Sequence, residues 1–172
     1  TAQKNLEPAQ VGAAVFDANE FTALRRWVLR PDRVRMDPFG NPTVRATMHA
    51  GNNWDDVIGE TGPEDPDFSL ISFQSLKGRP IAVLSNFSMH YFSGGIKGVN
   101  ADYFGMFNDR LEMALRPPQN ESLHPPFVSA LGHGCSGDIW RRDYTERPLE
   151  NPKIEDYTCL LYTSDAADER NS

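Results

Sequence analysis

The chain has 172 residues, 24 of them acidic and 17 basic, with a formal net charge of −7. That balance argues against a nucleic-acid partner, and no apolar run approaches the roughly 20 residues of a transmembrane span. Thirteen glycines and thirteen prolines with 39% apolar residues exclude a coiled coil or a disordered tail and describe a loop-rich globular piece.

Leu6 to Pro8 reads as the end of a helix, and Val11-Gly12-Ala13-Ala14-Val15-Phe16 as a strand whose small residues allow close packing. Trp27-Val28-Leu29 is a second short apolar segment among arginines. Residues 31–66 carry turn after turn, at Asp37-Pro38, Gly40-Asn41-Pro42, Gly51-Asn52-Asn53, Gly62-Pro63 and Asp65-Pro66, which predicts a long functional or surface loop. Phe68 to Phe73 and Arg79 to Leu84, joined through Lys77-Gly78, have the pattern of a β-hairpin. Ile81-Ala82-Val83-Leu84 is too short and aliphatic for a surface helix, so it reads as a buried strand with His90 beyond its carboxyl end. Gly94-Gly95 and Gly98 then break regular structure, and Asn100 or Asp102 is placed to cap a helix through Phe104, Phe107, Leu111, Met113 and Leu115. Phe127 to Leu131 is the next strand. This order predicts an α/β domain with a partly antiparallel sheet. Ligands of open α/β sheets bind outside the carboxyl ends of strands, so the strand, His90, the glycine loop and the helix form a candidate half-site.

Of the four histidines, His90 has the position best suited to chemistry. Zinc takes N, O or S ligands and leaves an open position in catalytic sites, and an imidazole at a strand end supplies one rigidly held nitrogen. The alternative is a structural histidine hydrogen-bonded to backbone. Asp102 lies too far along the chain to share a helix face with His90, and two roles are open to it. It orients a ligating imidazole, or it caps the helix, which is the favoured reading. Gly132-His133-Gly134-Cys135-Ser136-Gly137 is literally G-x-G-x-x-G after a strand, but Asp138 to Asp143 do not continue as an apolar helix, and no second βαβ unit follows. A dinucleotide fold is therefore rejected, and Asp138 stands where a nucleophile elbow needs glycine. Ser136, Asp138 and the backbone N–H groups of Gly134 and Gly137 are suited to contact a carbonyl or oxyanion. Otherwise the glycines only permit a tight turn.

Six segments are distinctive in order and spacing: Arg25-Arg26-Trp27 running to Arg30-Pro31-Asp32-Arg33-Val34-Arg35, Asp37-Pro38-Phe39-Gly40, Leu70-Ile71-Ser72-Phe73-Gln74, Asn86-Phe87-Ser88-Met89-His90-Tyr91-Phe92, Ala101-Asp102-Tyr103-Phe104-Gly105 and Gly134-Cys135-Ser136-Gly137-Asp138. Together they resemble the neutral/alkaline non-lysosomal ceramidase family, in its bacterial ceramidase-like branch. The resemblance covers residues 9–145. It implies a layered, mixed-sheet α/β catalytic domain and a zinc-dependent amide hydrolase that cleaves the N-acyl bond of ceramide or a related lipid amide, with a zinc-generated hydroxide attacking the carbonyl. By resemblance His90 is a zinc ligand, with a partner His upstream and a Glu and a Tyr downstream of this chain. Arg26 lies beside the cleft and binds a polar or anionic substrate group, or else makes a surface salt bridge. Ser136 and Asp138 are the catalytic candidates, and Tyr91, Phe92 and Trp140 are suited to line an apolar acyl channel, although aromatic residues near glycines more often belong to the core. The family's Ser-Pro after Gly-Asp is replaced by Ile139-Trp140, which leaves the substrate open. The resemblance further implies a lipid amide partner, peripheral contact with a membrane surface, and secretion or a periplasmic location. Two other readings are a ceramidase-like binding domain without catalysis and a metal-independent serine hydrolase using Ser136.

Cys159 to Glu169 resembles a sequencing-library adapter translated in one frame, as found in genes assembled from environmental DNA. The expectation is that residues 1–158 are part of the catalytic domain, and that 159–172 are not native and leave Leu160, Leu161 and Tyr162 unpacked. With Thr1 in place of an initiator methionine, the chain reads as a fragment cut at both ends and inactive alone. Discounting Cys159 leaves Cys135 alone, so no disulfide framework is expected.

Overall fold

A computed structural model of the chain describes residues 2–49, 54–92, 98–116, 125–146, 151–159 and 161. In chain order the strands are β1 (Ala9–Asp17), β2 (Ala23–Leu24), β3 (Arg26–Leu29), β4 (Ala46–Met48), β5 (Val57–Glu60), β6 (Asp67–Ser75) and β7 (Pro80–Phe87). The helix α1 (Asp102–Ala114) follows, then β8 (Val128–His133) and β9 (Ile139–Trp140). The main sheet has the order β1-β6-β7-β8. Its first two pairings are antiparallel, whereas β7 and β8 run parallel, with Ala82 opposite Val128 and Phe87 opposite His133. The chain is thus α/β with layered, mixed sheets, as its pattern predicts.

The β6–β7 hairpin turns where Gly78 takes φ +84°, a left-handed conformation that glycine adopts without steric cost. Along β6 and β7 the side chains alternate between faces. Phe68, Leu70, Val83 and Phe87 point into the core and meet Tyr103, Phe107 and Leu111 from α1. Phe68 lies 5.3 Å from Phe87 and 5.4 Å from Phe107 between ring centroids, and all three are fully buried. Each such side chain contributes about 1.5–3 kcal/mol through removal from water. Met113, expected on the same helix stripe, is 64% exposed, because positions 103, 107 and 111 already define the inward face. The opposite sheet face leaves Val11, Val15, Ile71, Leu84 and Val128 exposed.

Residues 31–66 are not one long loop. They contain β4 and β5, which flank β3 in a three-stranded sheet, and an Arg35–Val44 bridge closed by Asp37, whose Oδ1 accepts from the N–H groups of Phe39 and Asn41. Strands of three and four residues between turn signals are too short to show a period. At the amino terminus a 3-10 turn over Ala2–Asn5 replaces the helix expected to end at Leu6 to Pro8.

The start of α1 also differs from expectation. Neither Asn100 nor Asp102 is the cap residue; Ala101 is, with no side-chain cap bond. Asn100 Oδ1 accepts from the Asp102 N–H, and Asp102 is the first helical residue at φ +53°. Its Oδ1 accepts from the N–H groups of Tyr103 at 2.8 Å and Phe92 at 2.9 Å. The carboxylate therefore ties α1 to the segment carrying His90.

Residues 154–159 are helical, and Ile154, Tyr157 and Leu161 pack on the main core. The Tyr157 hydroxyl donates to the Phe21 carbonyl at 2.7 Å. Leu161 is fully buried, contrary to the expectation that it stays unpacked. Standing four residues after Tyr157, it shares that inward helix face, so any large apolar residue there is drawn to the core. Leu160 and Tyr162 lie outside the described residues. Among those described, no helix is long and apolar enough to cross a membrane.

Candidate functional site

Because β7 and β8 are parallel, their carboxyl ends bring two histidines together. His90 follows β7 by three residues and His133 ends β8; their ring centroids are 6.3 Å apart. The chain leaving β8 passes close against the end of β7: a Cβ at Gly134 would lie 2.5 Å from Ser88 Oγ and 3.1 Å from Ser88 Cα, so only glycine fits without displacement. Met89 and Phe92 are buried on either side of His90. The Tyr103 hydroxyl donates to the Met89 carbonyl at 3.1 Å, and with the Asp102 bond to Phe92 it fixes the segment in place.

His90 Nδ1 lies 3.3 Å from the Tyr91 carbonyl, so the neutral ring donates through Nδ1 and keeps a lone pair on Nε2. Burial lowers its pKa, outweighing the Tyr91 carbonyl bond, and Arg25, His133 and Arg141 push in the same direction. A neutral imidazole is the form that binds metals or accepts protons. Trp140, in β9, forms the centre of the site. Its ring lies 5.5 Å from His90 and 5.2 Å from His49, with the guanidinium groups of Arg25 and Arg141 5.3 Å and 4.2 Å from its centroid.

His49 and Tyr144 belong to this cluster, although no sequence pattern marked them. His49 has φ +57°, rare for a residue with a side chain, and its Nδ1 shares a hydrogen bond with the buried Tyr144 hydroxyl. Burial lowers the His49 pKa, aided by Arg25, Arg141, Arg142 and His90. Burial raises that of Tyr144 against the opposing arginines, which favours the protonated phenol.

The predicted residues divide clearly. His90, Tyr91 and Trp140 come together, with the Tyr91 ring 4.3 Å from His90. Ser136 is buried beside them through a hydrogen bond between its Oγ and His133 Nε2. Asp138 joins through its backbone, whose carbonyl accepts from the Arg25 N–H at 2.8 Å. Arg26 is exposed, and the arginine turned inward is Arg25, whose Nη2 and Nε donate to the Gly137 carbonyl at 2.8 Å and 3.3 Å. Arg25 sits between β2 and β3, where its N–H donates to the Asp138 carbonyl and its own carbonyl accepts from the His49 N–H, and Arg26 begins β3 on the exposed side. Of the aromatic residues suited to either an acyl channel or the core, Phe92 is a core residue. His124 lies outside the described residues. The G-x-G-x-x-G segment is followed by β9, paired with β2, and not by a helix.

His90 suits one position in a zinc coordination sphere. Among the described residues, however, no group of three or more His, Cys, Asp or Glu side chains is arranged to hold a metal. The described donor set is therefore short of the three protein ligands typical of catalytic zinc.

No protein-family model and no curated protein matches the chain. Solved structures do. The neutral ceramidase from Pseudomonas aeruginosa superposes with a TM-score of 0.54 at 16% identity, and a ceramidase complexed with C2 superposes at 0.57, also with 16% identity. Each match covers 94% of this chain and 22% of the neighbour. The chain therefore spans under a quarter of those proteins' length, and it has a ceramidase-like fold.

Proposed function

We propose that the chain is a segment of a longer amide hydrolase of the neutral ceramidase type, acting on the N-acyl bond of ceramide or a related lipid amide. The observation that carries this reading is the placement of His90. Its imidazole stands at the carboxyl end of the parallel β7–β8 pair, is kept neutral, and is held by buried neighbours within a ceramidase-like fold. His90 is proposed as one zinc ligand, and the reading requires further ligands beyond the described residues. When bound, such an ion lowers the pKa of its water and polarises a carbonyl. The chain's own part is to orient His90 through Asp102 and Tyr103, and to wall the site with Trp140 and Tyr91. A location outside the cytoplasm and contact with a membrane surface are part of the same proposal.

A second reading has its own support. His133 and Ser136 form a base–hydroxyl pair of the kind that activates a serine nucleophile. The experiment is to express the longer polypeptide and compare His90→Ala with Ser136→Ala in zinc content and in hydrolysis of a fluorescent ceramide. The ceramidase reading expects His90→Ala to lose zinc and turnover together while the fold persists, with chelators abolishing activity. Activity that survives chelation and His90→Ala but disappears in Ser136→Ala would establish the serine reading in its place. Bound substrate without turnover in the unaltered protein would identify a binding domain.

A further inference from the structure

The main sheet ends on β1, which among the described residues pairs only with β6. Its register runs unbroken from Ala9 opposite Ser75 to Asp17 opposite Asp67, with no bulge. Every residue of β1 is exposed except the half-buried Phe16, so the strand stands open on both faces and along its outer edge. Antiparallel pairing turns every second residue toward β6 and leaves the N–H and C=O groups of the alternate residues facing outward. Native sheets guard such an edge with lysine, proline, a bulge or a covering segment. From Ala9 to Phe16 the strand has no charged residue and no proline. The edge is a template for one more strand.

The order of side chains selects that strand. Ala13 is the midpoint of β1, and its neighbours on the same face are Val11 and Val15, both exposed. A second β1 laid antiparallel with the midpoints opposed pairs all nine residues. That register supplies about eight to ten backbone hydrogen bonds between the copies. Val11 then meets Val15 of the second copy on either side of an Ala13–Ala13 contact, and Gly12 meets Ala14 on the other face. Cross-strand pairs of β-branched residues stabilise a sheet. Asp17 comes opposite Ala9, so the carboxylates of the two copies stay apart, and Asp17 is engaged with Asn19. A slide of two residues, the smallest that keeps like faces together, replaces the valine–valine pairs with valine–alanine pairs and shortens the ladder. We propose that β1 is a self-association edge, through which two copies of this chain join antiparallel about Ala13 into one continuous eight-stranded sheet. Such pairing needs no part of the hydrolase site.

The test is sedimentation equilibrium of the 172-residue chain at about 5–200 μM, joined to cysteine trapping in a Cys135→Ser, Cys159→Ser background. A monomer–dimer equilibrium is expected, weakened at least about tenfold by Ala13→Lys, which opposes two like charges at the two-fold axis. Val11→Lys alone should also weaken the dimer, and adding Val15→Glu should restore it by supplying the opposite charge across the axis. Ala13→Cys should cross-link the dimer under mild oxidation, because the midpoint Cα atoms lie about 4.5–5.5 Å apart. Ala14→Cys places them beyond about 7 Å and should not cross-link. A monomer throughout the concentration range would overturn the proposal. So would a dimer that Leu84→Lys disrupts and Ala13→Lys does not, which would place the contact on the exposed sheet face. Equal cross-linking at positions 13 and 14 would refute the register. Sedimentation of the unaltered chain and trapping at the two positions decide the matter even if a lysine variant fails to fold.

Discussion

Replacing Gly134 by Ala probes the close approach that brings the two strand ends together. The added methyl would lie 2.5 Å from Ser88 Oγ, 3.1 Å from Ser88 Cα and 3.2 Å from Asn86 Nδ2. Ser88 Oγ can rotate away only by giving up its bond to Asp65 Oδ2 at 3.2 Å, while the overlap with the Ser88 backbone must be relieved by moving the end of β7. Overpacking of this kind costs about 1–3 kcal/mol. For a chain of this size that lowers the melting temperature by roughly 2–12 °C. His90 is two residues beyond Ser88, so its ring resonances should move along with the loss of stability. Circular dichroism melts and ¹H–¹³C spectra of the histidine rings report the two effects. The Ser88→Ala background should reduce the cost of Gly134→Ala, because the nearest atom has gone. Gly137→Ala, which meets nothing within 4 Å, is the neutral control. An equal cost in both backgrounds, or one below about 0.5 kcal/mol, would refute the close approach of β8 to Ser88.

Phe107→Ala, at a fully buried position between the sheet and α1, should cost about 3–5 kcal/mol in urea unfolding, the range for removing a core aromatic. Leu161→Ala should cost about 2–5 kcal/mol, and a negligible change would show that the C-terminal helical segment is not docked in solution. His49 has a folded-state pKa below its ordinary 6.5, so its contribution to stability is present above that value and is lost as pH falls through the lowered pKa. His49→Gln should accordingly flatten the loss of stability on the acid side of pH 6.5, measured by denaturant midpoints across that range. Leu84→Lys, on the exposed sheet face, should leave the midpoint within about 0.5 kcal/mol while reducing hydrophobic dye binding.

The elements that follow a local period were legible in the sequence. The hairpin of β6 and β7 shows as two apolar segments on either side of Lys77-Gly78, and α1 shows Phe107 and Leu111 of its inward stripe, though Tyr103 joins that stripe only in the structure and Met113 falls outside it. His90 could be placed beyond a strand end because that placement depends only on the few residues before it. Short range also limited what could be read. Arg25 and Arg26 are adjacent in sequence, and the direction each takes was decided when Arg25 met the Gly137 carbonyl, 112 residues away. His49 and Tyr144, 95 residues apart, carry no shared spacing; their hydrogen bond exists because β3 aligns β4 on one side and β9 carries Trp140 back beside them. The sequence by itself determined the local elements and the position of one histidine, since propensity and alternation act over a few residues. Tertiary structure alone decided which histidines, arginines and aromatic rings stand together, because those distances are set by how the strands and the helix pack.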